Sequence, residues 1–142
     1  IKEHPHPLVM SAESGGENKY CLCDAFTGDD VSLPFDYTKC FPVDINGDGY
    51  HEFLHIEEGT LFNAKGDILG QVEGHGCQRS RILDSKGGEQ IITFSDDGYL
   101  SLWYNPEAVD SKIAQKRYEH PFYKRARAFN TMGYNWNIQA GV

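Results

Sequence analysis

The sequence has no apolar run approaching the ~20 residues that a membrane-spanning helix needs, which argues against membrane insertion. It is short of positive charge, with 13 Lys and Arg against 21 Asp and Glu and a net charge of −8. Nucleic acid is therefore a poor partner. No Cys-x-x-Cys pair is present, which argues against a zinc site. There is no Ser/His/Asp arrangement, no phosphate-cradling glycine loop and no nucleotide fingerprint. No signal peptide is visible, and the chain opens on Ile1 rather than Met, which points to a processed or incomplete chain.

What is present points to β-structure. Fifteen glycines and 13% aromatic residues in 142 suit many short strands joined by tight turns within one domain. The four cysteines, Cys21, Cys23, Cys40 and Cys77, allow three pairings. Cys21 and Cys23 sit two apart on a strand-like run and share a face, ~6.5 Å apart along it, so a bridge between them would be strained. Pairing of either with Cys40, or four free buried thiols, stays open.

The chain is organised around Asp44-Ile45-Asn46-Gly47-Asp48-Gly49-Tyr50-His51-Glu52. Asp44, Asn46 and Asp48 place oxygens at alternate positions, Glu52 follows, and Tyr50 lies between as a further candidate ligand. Gly47 and Gly49 let the backbone turn tightly around what those oxygens hold. A hard cation such as Ca²⁺ takes six to eight oxygen ligands, and such a turn can supply them. The helix-flanked calcium loop carries Glu at its twelfth position, where this chain has His55. Strand-like runs flank the loop instead: Phe41-Pro42-Val43 before it and Phe53-Leu54-His55-Ile56 after it.

Strand, turn and strand recur along the chain, each set ending in a corner at Asp24, Asn63 or Asn105. The corners are 39 and 42 residues apart, a period near that of propeller blades. The expected fold is an all-β propeller-like domain over 1–142, with blade-like segments at about 8–40, 41–78, 79–109 and 122–142. That gives about three blades and the start of a fourth, as part of a larger propeller completed by further blades or another chain. Residues 1–7, with His4 and His6, read as a mobile tail. Residues 106–120 read as a short helix or long loop with Lys112, Lys116 and Arg117 outward. Residues 122–129 alternate like a strand, and Asn130–Asn137 reads as an aromatic, amide-rich loop.

The loop from Asp44 to Glu52 with Phe53-Leu54-His55-Ile56 resembles the FG-GAP type of calcium-binding blade found in integrin-like propellers. Gly74-His75-Gly76 is similar to a Gly-His-Gly of rhamnogalacturonan lyases of polysaccharide lyase family 11. The run Tyr123-Lys124-Arg125-Ala126-Arg127-Ala128-Phe129 followed by Tyr134-Asn135 is similar to the closing part of that family's propeller. Cys77 stands where the family has an acidic residue. The resemblance implies a secreted, periplasmic or cell-surface protein that binds acidic polysaccharide and cleaves it by β-elimination. Asp97-Gly98-Tyr99-Leu100-Ser101-Leu102-Trp103 also resembles WD-repeat blades, without the Asp that follows Trp there.

Elimination beside a uronate needs a cation to neutralise the carboxylate and a base to take the α-proton. His75, set between glycines on an expected exposed turn, is the candidate base. Arg79, Arg81, Arg125 and Arg127 are candidates to grip carboxylates. Tyr134, Asn135 and Trp136 are the candidate sugar platform, and Trp103 is expected in the core. The alternative function is a non-catalytic, calcium-stabilised module that binds a glycan or protein.

Overall fold

The computed structural model describes residues 1–12, 20–80 and 82–131, except for the side chains of 11, 12, 75–80 and 129–131. Its described part is mostly β, in three small antiparallel sheets, with two helices at the C-terminal end. Strands β1 (Leu8–Ala12) and β2 (Tyr20–Asp24) form the first sheet. Strands β3 (Cys40–Val43), β4 (Glu52–His55), β5 (Thr60–Phe62) and β6 (Ile68–Gln71) form a four-stranded meander. Strands β7 (His75–Ser80), β8 (Gln90–Phe94) and β9 (Leu100–Trp103) form the third sheet. No closed barrel or propeller is formed by the described residues.

Every residue of β4 is buried, so the four-stranded sheet is covered on both faces at that strand, while the edge strand β6 is largely exposed. Alternation sends Leu54 and Leu61 to one face, where they meet Val43, Ile45, Val72, Ile91 and Trp103. Ile91 and Trp103 are register partners in the third sheet, so the two sheets pack face to face. Phe53 and Cys40 point the other way, onto Ile1, Leu33 and Phe35. Phe35 stacks on Phe62 at 5.2 Å and meets Phe53 edge-on, also at 5.2 Å. Trp103 donates its indole N–H to Thr93 Oγ1 at 2.9 Å, in keeping with its expected core role.

The recurring corners share one local chemistry. Asp24 Oδ1 accepts from Phe26 N at 2.7 Å, and the Oδ1 atoms of Asn63 and Asn105 accept from Lys65 N and Glu107 N, both at 2.9 Å. Each side chain mimics a backbone turn two residues on, which is why Asp and Asn stand there.

Several expectations are corrected. Residues 122–129 do not form a strand. They lie in helix α2 (Pro121–Thr131), which follows helix α1 (Lys112–Glu119) directly. Proline suits the first helical position because its missing N–H would be unpaired there anyway. The Lys-Arg-Ala-Arg-Ala run favours helix, and Tyr123 and Ala126, three apart, are buried on one side. A strand β6 appears where none was expected. His75 opens β7 rather than occupying a turn. The N-terminal segment is tied down: His6 Nδ1 lies 2.7 Å from Asp24 Oδ2. Cys21, Cys23 and Cys40 are free thiols, with Cys21 exposed and Cys40 buried.

Candidate metal centre

The loop joining β3 to β4 is built from its own side chains. Asn46 Oδ1 accepts from Asp48 N, and Asp48 Oδ1 accepts from Tyr50 N, each at 2.8 Å. These two successive turns need left-handed backbone at Gly47 (φ 76°) and Gly49 (φ 94°). Gly49 N then donates to Asp44 Oδ2 at 3.1 Å and closes the loop. Glu52, at the start of β4, accepts from Ile45 N at 3.1 Å and from Asn46 Nδ2 at 2.8 Å. Lys2 Nζ reaches Asp48 Oδ2 at 3.3 Å from the N-terminal segment.

A second layer of side chains holds the loop from outside. The backbone of Asp44 exchanges two bonds with Glu89: Glu89 N donates to Asp44 O at 2.7 Å, and Asp44 N donates to Glu89 Oε2 at 2.9 Å. Tyr123 of α2 donates to Glu89 Oε1 at 2.7 Å. From α1, Arg117 Nη1 donates to Asp44 Oδ2 at 3.1 Å, Tyr118 Oη donates to it at 3.2 Å, and Arg117 Nη2 bonds the Gly49 carbonyl. Ser111, the N-cap of α1, donates from its backbone to Gly47 O at 2.7 Å and from its hydroxyl to Asp48 O at 2.8 Å. The fit is close: a Cβ added at Gly49 would lie 2.6 Å from Ile113.

Arg117 was expected to point outward and is instead buried against Asp44. It, Tyr118, Tyr123 and Glu89 are the site residues that sequence reasoning did not find.

Burial dominates the electrostatics of the loop. Burial raises the Asp44 carboxyl to about 6, although Arg117 beside it pulls the other way. Burial, reinforced by the Asp44 charge, raises Glu52 to about 8. Burial likewise raises the Tyr118 phenol. Three donors crowd onto Asp44 Oδ2, while Oδ1, fully buried, has no hydrogen-bond partner. A buried carboxylate oxygen left unpaired costs several kcal/mol relative to water unless something compensates it.

The donor set suits a hard divalent ion: two Asp, one Asn, one Glu and the loop's own carbonyls. Among the described residues, no three His, Cys, Asp or Glu side chains converge tightly enough to hold a metal by themselves. The amide of Asn46 and backbone carbonyls such as that of Tyr50 would have to complete the shell.

Comparison with known proteins finds no matching family model, no matching curated protein and no matching solved structure.

The remaining candidates are not brought to this loop by any described contact. Arg127 pairs with Asp84 at 3.2 Å, and Arg125 is exposed on α2. The side chains of His75 and Arg79, and residues Arg81, Tyr134, Asn135 and Trp136, lie outside the described residues. No described helix is long and apolar enough to cross a membrane.

Proposed function

We propose that this chain is a calcium-binding module of blade-like sheets from a secreted or cell-surface carbohydrate-active protein. In it, Ca²⁺ fastens the β3–β4 loop, and the sheets present a binding surface for a glycan or a protein. The observation that carries the cation is Asp44 Oδ1, buried without a partner inside a loop of alternating oxygen donors. Asp44, Asn46, Asp48, Glu52 and the carbonyl of Tyr50 would hold the ion. When bound, it would add positive charge to that of Arg117 beside Asp44 and would favour the ionised form of Glu52.

Support for the blade reading is the four-stranded β3–β6 meander stacked on the β7–β9 sheet. On the outer face of that third sheet Phe94 and Leu100 are register partners, 48% and 77% exposed. A further blade would cover such a face. We rank non-catalytic binding above acidic-polysaccharide cleavage. The basic strand on which the lyase resemblance leaned is helix α2, and Arg127 is engaged with Asp84.

Calorimetric titration of Ca²⁺ into chelator-treated protein, with melting followed in the same samples, tests the reading. One ion per chain should bind and raise Tm, by about 2.7 kcal/mol of stabilisation when the ion is at 100 times Kd. Asp48→Asn, which keeps the acceptor for Tyr50 N, should weaken binding without unfolding the protein. No binding to the wild-type chain refutes the proposal. Unsaturated products formed from an acidic polysaccharide would restore the lyase reading.

A further inference from the structure

A second cluster of ligating side chains lies away from the loop, on β2. Leu22 is buried, so alternation turns its neighbours Cys21 and Cys23 to the opposite face. Both are free thiols, Cys21 exposed and Cys23 half-buried. The Cys23 thiol donates to the Val9 carbonyl across the β1–β2 pair at 3.6 Å, and the Cys21 thiol is its hydrogen-bonding neighbour. Asp30 pairs with Cys23 on the other side of β2, and its carboxylate and that of Asp24 act on the Cys23 sulfur. Burial, then Cys21 and these carboxylates, raises the Cys23 thiol, so a metal must displace its proton in order to bind.

Spacing decides what two such thiols can do. Same-face residues of a strand stand ~6.5 Å apart with their Cα–Cβ bonds roughly parallel. A disulfide needs Cβ atoms ~3.5–4.5 Å apart, so direct oxidation would distort the strand. A bridging ion relaxes that demand, because two metal–sulfur bonds of ~2.3 Å hold the sulfurs as much as ~4.6 Å apart. A tetrahedral site would need more donors, and no third His, Cys, Asp or Glu converges with these two among the described residues. Paired thiolates without further ligands suit a soft ion content with two-coordination.

We propose that Cys21 and Cys23 form a two-coordinate site for a soft monovalent cation of the Cu(I) class. On binding, each S–H gives its proton to solvent as its sulfur bonds the metal. The ion enters and stays monovalent, so no electron is transferred. The site is independent of the calcium loop.

The test uses the full chain, reduced and free of oxygen, titrated with Cu(I) against a competing chelator and separately with Ag(I). One ion per chain should bind, and X-ray absorption should show two sulfur neighbours. Cys21→Ser and Cys23→Ser should each lose more than about 100-fold in affinity, beyond the loss seen when only supporting residues around a metal are changed. Cys40→Ser and Cys77→Ser should bind as wild type. Circular dichroism of each variant shows whether the fold is kept. Unchanged affinity in folded Cys21→Ser or Cys23→Ser overturns the proposal. So does loss of binding on Cys77→Ser with three sulfurs at the metal, or ready formation of a Cys21–Cys23 disulfide in air.

Discussion

Replacing Arg117 by Met tests whether the guanidinium is the counter-charge that makes the loop tolerable in the absence of calcium. Met keeps most of the apolar stem and its volume but removes the bonds to Asp44 Oδ2 and the Gly49 carbonyl. Both partners are buried, with Asp44 fully so and Arg117 7% exposed. Removing one member of such a pair leaves the other charge unpaired and typically costs 3–5 kcal/mol, so about 4 kcal/mol is expected here. For a chain of this size that is on the order of 10 °C in Tm. The loss should depend on pH. Asp44 titrates near 6 even with Arg117 present, and without it the carboxyl should stay protonated to higher pH. A neutral Asp44 needs no counter-charge, so the penalty should be small at pH 5 and larger at pH 8, where protonation of Asp44 limits its ionic part to about 2.7 kcal/mol. Adding Asp44→Asn should recover part of it at pH 8. Urea melts of the four proteins at both pH values, with chelator present, give the energies. A loss below about 1 kcal/mol at pH 8, or a loss equal at both pH values, would refute the reasoning.

Two further outcomes follow from the same electrostatics. Asp44 and Glu52 have folded-state values of about 6 and about 8, above their unfolded ones, so the folded chain holds protons that the unfolded chain has released. Chelator-treated protein should therefore lose stability as pH rises from about 4.5 to 8, by up to about 1.4 kcal/mol per unit per group. Thermal melts across that range read it, and stability that rises instead would contradict the assignment. At the first corner, burial pushes the Asp24 carboxyl up, but the N–H groups of Thr27 and Phe26 and the bond from His6 outweigh it and bring it to about 2. Its contribution is present above the unfolded value near 3.8 and is lost as pH falls through about 2. Asp24→Ala should lower Tm at pH 7 and make little difference in acid, as paired melts at pH 7 and pH 2 would show.

The loop and corners were legible in the sequence because their chemistry is local. Asn46, Asp48, Asp24, Asn63 and Asn105 each bond backbone within two residues, so residue type and spacing contain the whole interaction. Arg117 was not legible, because its partner lies 73 residues away and helical periodicity does not distinguish a buried Arg from an exposed one. Glu89 left a faint signal: a lone acid after Gly87-Gly88 at the head of an apolar strand, held there by an exchange with Asp44 across 45 residues. Helix α2 was misread because Phe122 to Phe129 fits a period of two about as well as 3.6. Pro121, the helix-forming run after it and His120, whose Nδ1 accepts from Phe122 N, were the better guide.

The distance along the chain from Asp44 to Arg117 also bears on which contact closes at lower entropic cost. Closing the loop on itself, from Gly49 to Asp44, spans 5 residues, whereas fastening it to α1 spans 73. By the logarithmic growth of closure entropy the second step costs about 2 kcal/mol more. The loop can therefore take shape with its own hairpin before the more distant α1 is fastened to it. The acidic loop is thus a local structure that a distant helix covers, rather than one that the helix has to build.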